Sequence, residues 1–165
     1  MINNFLILPD TKVERVVGKN LDLYGSKINE IPMDLKVLGN LNLMNRKITS
    51  LPESFHVGGD LNINNCTQLT TLPRELVVGK SLYAKYTNLQ ILPDDIVVSE
   101  NCDLEKSKIR TIPNGFQIKE SLDLSYTPIT ELPEILKIGK YLNLFGCNIK
   151  EIPSTVEVGV YIYKD

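Results

Sequence analysis

The chain holds few side chains able to do covalent or metal chemistry, and their spacing scatters them. There is one histidine, His56, and there are three cysteines, Cys66, Cys102 and Cys147. A nucleophile and its base must meet in one turn region, with a third group to orient the base. His56 lies between the apolar residues Phe55 and Val57, whereas Cys66 falls in the next stretch, on the other side of an expected strand. The cysteines have no C-x-x-C spacing and no second histidine accompanies them, so the pattern of a zinc site is missing. Asp94-Asp95 is a carboxylate pair, but adjacent acids in a turn are commonly just solvated. The Gly-Lys pairs at 18–19, 79–80 and 139–140 belong to no G-x-x-x-x-G-K-[ST] phosphate loop. No enzyme activity, metal or cofactor is expected from these residues.

Composition narrows the partners. A chain of 165 residues with 42% hydrophobic and 23% charged residues reads as one globular domain. The formal charge of -2 provides no basic footprint for nucleic acid or an anionic membrane. No apolar run approaches the roughly 20 residues of a membrane span. The start, Met1 to Asp10, lacks the pattern of a signal peptide. Cysteines odd in number and far apart do not make a disulfide framework, which favours a reducing, cytoplasmic setting.

What must position these residues is a repeat. Prolines fall at 32, 52, 73, 93, 113, 133 and 153, a spacing of 20 with one interval of 21, and each follows Leu or Ile. Ahead of each lies a Leu-x-Leu signature: Leu21/Leu23, Leu41/Leu43, Leu61/Ile63, Leu82/Ala84, Cys102/Leu104, Leu122/Leu124 and Leu142/Leu144. Further apolar columns run through Ile28, Ile48 and Leu69 to Ile149, through Val17, Val37 and Val57 to Val158, and through Leu35, Phe55 and Leu76 to Val156. Alternation of period two is the mark of a short half-buried strand. Proline, with fixed φ and no N–H, suits an extended or turn segment on the far side. No repeat can bury so many apolar columns alone, so neighbours must stack into one core.

The expected fold is therefore a solenoid: a curved parallel sheet of about seven or eight short strands, extended or 3₁₀ returning segments, and little or no α-helix. Residues 1–16 are read as a cap or degenerate repeat, and 17–165 as the solenoid. The extra residue near Cys66-Thr67-Gln68 should bulge without breaking the register. Cys102 replaces a strand leucine and should face the core. Cys66 and Cys147, four rungs apart, would be about 19 Å from each other at ordinary strand spacing, too far for a bridge.

The motif V-G-x-x-L-x-L-x-x-x-x-I-x-x-L-P resembles the leucine-rich-repeat family over residues 17–165, in the short 20-residue form of bacterial and bacteriophage proteins. Val57-Gly58-Gly59-Asp60-Leu61 and Ile138-Gly139 through Ile149 carry the likeness. The family's usual asparagine after the strand is replaced by Ser26, Arg46, Cys66, Thr87, Ser107, Thr127 and Cys147, which can only partly replace an amide ladder. The resemblance implies a non-catalytic protein-binding scaffold, with a phage or prophage product acting on a host protein in the host cytoplasm as the leading reading. A secreted bacterial effector module is the alternative, although the double L-P-x-L-P pattern and an attached catalytic domain are both missing; an enzyme is the third and least favoured reading.

On such a frame the sheet face is the variable surface. Its three columns start at Asn20, Asp22 and Tyr24 and recur on every rung. They carry six acids, Asp22, Asp60, Asp103, Glu105, Asp123 and Asp165, against one base, Lys85. Asp103, Glu105 and Asp123 should favour a partner with a basic patch and repel phosphates, or serve only to solubilise the face. Aromatics gather at the C-terminal end: Tyr126, Tyr141, Phe145, Tyr161 and Tyr163. They are expected either to anchor a protein partner or to shield the end of the core. Tyr141 and Tyr161 should lie side by side. The terminal strand is also a template for pairing with a second copy. Leu124 should be buried, and its neighbour Asp123 should tolerate alanine at almost no cost.

Overall fold

Each repeat contains two places where apolar residues are separated by one polar residue, and each becomes a short strand. In the first, Leu41 and Leu43 or Leu122 and Leu124 turn inward on either side of a polar residue. In the second, Leu35-Lys36-Val37 buries its outer residues and exposes the middle one, and Phe116-Gln117-Ile118 and Leu136-Lys137-Ile138 do the same. The computed structural model describes residues 15–165. It is a β-solenoid of about seven turns, in which every strand pairing is parallel and no residue among those described is helical. Of the expected cap, residues 1–14 lie outside the described residues.

The Leu-x-Leu strands form one sheet of eight: β2 (Leu21–Asp22), β4 (Leu41–Asn42), β6 (Leu61–Asn62), β8 (Leu82–Tyr83), β10 (Cys102–Asp103), β12 (Leu122–Asp123), β14 (Tyr141–Asn143) and β16 (Tyr161–Tyr163). Their register is one residue above its counterpart: Leu61 on Leu82, Cys102 on Leu122, Leu142 on Ile162. Cys102 sits among leucines and is fully buried, as its column requires. The extra residue is taken up by a second turn at Thr67–Gln68, and pairing resumes with His56 opposite Val77 and Leu61 opposite Leu82. Prolines open the turns on the far side, where Pro32 and Pro113 accept the amides of Leu35 and Phe116 at 3.1 and 3.2 Å.

The returning arm is extended, as expected, and beyond the expectation it pairs into sheets of its own, one of five strands and one of three. The five are β1 (Arg15–Val17), β3 (Leu35–Val37), β5 (His56–Val57), β7 (Val77–Val78) and β9 (Val97–Val98). The three are β11 (Phe116–Ile118), β13 (Leu136–Ile138) and β15 (Glu157–Val158). The apolar columns two residues apart, read above as separate stripes, are the two inward faces of these strands.

A glycine column runs beside this second sheet, and its gap coincides with the break in the sheet. A Cβ at Gly139 would strike the carbonyl oxygen of Lys119, with the carbonyl carbon at 2.7 Å, and Gly58 and Gly79 meet the coil below in the same way. The rungs in this column are Gly18, Leu38, Gly58, Gly79, Ser99, Lys119, Gly139 and Gly159. Only the step from Ser99 to Lys119 lacks a glycine on both rungs, and that is the step at which the sheet divides. There the Lys119 amide bonds Ser99 O at 3.2 Å, whereas Gly139, in the regular pattern, bonds Ile118 O at 3.0 Å. At this rung, where neither residue allows the close approach that glycine permits, the ladder loses its pairing.

Candidate functional site

The exposed face of the eight-stranded sheet is built from three columns, and the structure gives each a different task. In the first column, side chains carry a hydrogen-bond chain from rung to rung. Asn20 Oδ1 accepts from Asn40 N, Asn40 Oδ1 from Asp60 N, Asp60 Oδ1 from Ser81 N, and Asn101 Oδ1 from Ser121 N, at 2.9–3.2 Å. The chain stops where Tyr141 and Tyr161 take over the column.

In the second column, Asp and Asn close Asx turns. Asp22, Asn42, Asn62, Asp103, Asp123 and Asn143 each accept the amide two residues on, which is the ordinary local use of these side chains. Asp123 also accepts from Ser125 Oγ at 2.6 Å and from Asn143 Nδ2 at 3.0 Å. Alanine here would remove all three bonds, so the structure leads us to expect a larger cost than the sequence alone suggested.

The acidic middle is also partly compensated. Lys85 Nζ lies 2.9 Å from Asp103 and 3.0 Å from Glu105, and Lys106 Nζ lies 3.0 Å from the other Glu105 oxygen. Burial works against the charge of Lys85, but hydrogen bonds to Asp103 and Glu105 outweigh it and raise its pKa. Burial pushes the Asp103 carboxyl up against the opposing effect of Lys85. Hydrogen bonds from Lys85 and Lys106 hold Glu105 below the usual carboxylate range. The two lysines balance Asp103 and Glu105, so the carboxylate of this group left without a cation is Asp123.

The aromatics fall into two groups. Tyr126 and Phe145 meet edge to face at 5.5 Å between ring centres. Tyr141 and Tyr161 occupy paired positions, but the ring contacts run through Tyr163, at 6.1 Å from Tyr141 and 4.9 Å from Tyr161. The expected side-by-side pair is thus a cluster of three, joined through the ring of Tyr163. Phe145 and Tyr163 together wall a shallow depression of about 440 Å³, with Tyr126, Ser125 and Asn143 beside them and Glu105 and Asp123 on its acidic side. Five of the eight residues expected to bind a partner line it: Glu105, Asp123, Tyr126, Phe145 and Tyr163. Asp103, Tyr141 and Tyr161 lie outside it.

Two contributors escaped the sequence reading, Tyr86 and Lys106. Lys106 Nζ stands 5.1 Å from the ring centres of both Tyr86 and Tyr126. All three have positive φ, 56°, 55° and 56°, in a turn column otherwise filled by Gly25, Asn45, Asn65 and Gly146. Left-handed backbone suits Gly and Asn and costs a tyrosine or lysine roughly 1–2 kcal/mol. The switch from Gly/Asn to Tyr-Lys-Tyr at one column was the available signal.

The chemistry-bearing residues are placed elsewhere. His56 is exposed on the far side, in β5. Cys66 and Cys147 direct their thiols to the carbonyls of Leu43 and Leu124 at 3.0 and 2.9 Å. Thr87 and Thr127 hydroxyls donate to Ala84 and Leu124 carbonyls. This column thus satisfies backbone groups without asparagine. Burial pushes the thiols of Cys66 and Cys102 up, away from the reactive thiolate. Among the described residues no three His, Cys, Asp or Glu side chains are placed to hold a metal ion, and no helix is long and apolar enough to cross a membrane. No protein-family model and no curated protein matches the chain.

Proposed function

We propose that the chain is a leucine-rich-repeat type, non-catalytic scaffold that binds a protein partner through the C-terminal half of its eight-stranded sheet. One observation carries this reading. The polar side chains of the face are engaged in the frame, while Tyr126, Tyr141, Phe145, Tyr161 and Tyr163 stand 38–59% exposed beside one another. Exposed, clustered aromatic rings on a rigid sheet are the usual anchors of a protein interface. The partner fitting this surface has a hydrophobic patch and basic groups, to match the rings and Asp123. Neither nucleic acid nor a membrane surface suits the acidic face. The repeat flavour supports a bacterial or phage protein acting on a host protein in the cytoplasm.

If the rings are the contact, Tyr141→Ala or Phe145→Ala weakens partner binding by about 2 kcal/mol or more, read by surface plasmon resonance with the partner immobilised. Unchanged partner binding by both variants removes the aromatics from the interface. Loss of self-association by the same variants, seen in sedimentation velocity with partner binding unchanged, assigns them to a homodimer built on β16.

A further inference from the structure

We infer that the depression between Tyr126, Phe145 and Tyr163 is a seat for an arginine side chain of the partner, with Asp123 as its counter-charge. The inference rests on the sheet face being the binding face and names the group that face reads.

Three observations converge on a cation. First, the walls are three aromatic rings, whose faces carry partial negative charge and attract cations within about 6 Å of the centroid. Second, Asp123 lines the same depression and is the carboxylate there without a lysine beside it, Glu105 being held by Lys85 and Lys106. Asp123 Oδ2 accepts a single hydrogen bond, from Asn143 Nδ2, which leaves it a lone pair for a donor. Third, the molecule already uses this arrangement one rung away, where Lys106 is held between the rings of Tyr86 and Tyr126 with Glu105 at 3.0 Å.

Beyond Tyr126 the turn column supplies no second cation of its own. In the column Tyr86-Lys106-Tyr126, the next residue is Gly146, which has no side chain to offer. The Tyr126 ring leans over it, 2.6 Å from where a Cβ would sit, and meets Phe145 edge-on. Both rings line the depression. Its shallow form cannot enclose a ligand, so an arginine side chain on a short peptide binds weakly here and tight binding needs the rest of a partner's surface. Arginine fits better than lysine, because a guanidinium is planar, stacks on aromatic faces while hydrogen-bonding a carboxylate, and is less strongly hydrated.

The test is an amide-resolved NMR titration of the whole chain with acetyl-Gly-Arg-Gly-amide, against its citrulline counterpart, which keeps the shape and loses the charge. Saturable shifts confined to Ser125, Tyr126, Phe145, Gly146 and Tyr163 are expected with arginine. Binding should be about three- to fivefold weaker with citrulline and likewise in Asp123→Asn or Phe145→Ala, the scale of an exposed cation–π contact. Unchanged amides of Leu41 and Leu61 report that each variant is folded. Equal response to citrulline, shifts of the same size around Asp22 and Asp60, or no response overturns the arginine seat. Failure here with partner binding still sensitive to Phe145→Ala leaves the scaffold reading standing. Arginine binding without any partner contact at this face removes the scaffold reading and keeps the seat.

Discussion

Leu124→Ala is expected to destabilise the protein by about 2–5 kcal/mol in a denaturant titration. Leu124 is fully buried in the middle of the stack, with Leu104 and Leu144 equally buried on the neighbouring rungs. Truncation leaves a cavity that two short strands, each held by its neighbours' backbone bonds, cannot collapse around. Its carbonyl also accepts from Thr127 Oγ1 and from Cys147 Sγ, so the rung cannot shift without loosening both. Asp123→Ala, one residue away, should cost less, about 1–2 kcal/mol, for the Asx-turn and Asn143 hydrogen bonds it loses. Asp123→Asn should recover most of that. Equal effects of Leu124→Ala and Asp123→Ala would contradict the inward and outward assignment of β12.

The second large effect is expected on the opposite side of the coil. Gly139→Ala should cost about 1–3 kcal/mol or more, as overpacking does, because its Cβ meets main-chain atoms of Lys119 rather than a side chain that can swing away. Gly18→Ala, with nothing among the described residues within 4 Å of the added Cβ, is the matched control and should be close to neutral. The same reasoning predicts relief at the break, where Lys119→Gly should restore pairing between β9 and β11. A neutral Gly139→Ala would show that close packing of the coils is not what this column secures.

The solenoid was legible because a burial pattern repeated seven times is hard to satisfy any other way. Each apolar column reappears as a buried stripe, from Leu41 through Cys102 to Leu142. The second set of sheets was less legible, although its sign was present. Leu35 and Val37, or Phe116 and Ile118, are spaced as a strand but were assigned to separate stripes, and proline nearby favoured an unpaired arm.

In the candidate site the clustering of the aromatics was legible in the sequence, whereas the acids were misleading. An acid on a sheet face looks like free charge until its neighbours' amides are placed. Asp22, Asp103 and Asp123 cap turns because a short side-chain oxygen reaches the amide two residues on. Tyr86 and Lys106 were missed because the three columns of the face stopped one position before the turn, and Tyr126 was read only as one of the C-terminal aromatics. How the rings of Tyr141, Tyr161 and Tyr163 lean depends on side-chain rotamers, which column position does not specify.

Site-specific photo-crosslinking tests most directly whether the sheet face, rather than the returning side, is where a protein partner binds. Phe145→p-benzoylphenylalanine places the crosslinker on the aromatic end, and Ile135→p-benzoylphenylalanine places it on the exposed far side of the coil. Irradiation in a lysate of the producing cells should yield one discrete protein adduct from position 145, lost in the Tyr163→Ala background, and none from position 135. Adducts from 135 alone, equal labelling from both positions, or no adduct from 145 would contradict the assignment of the binding surface.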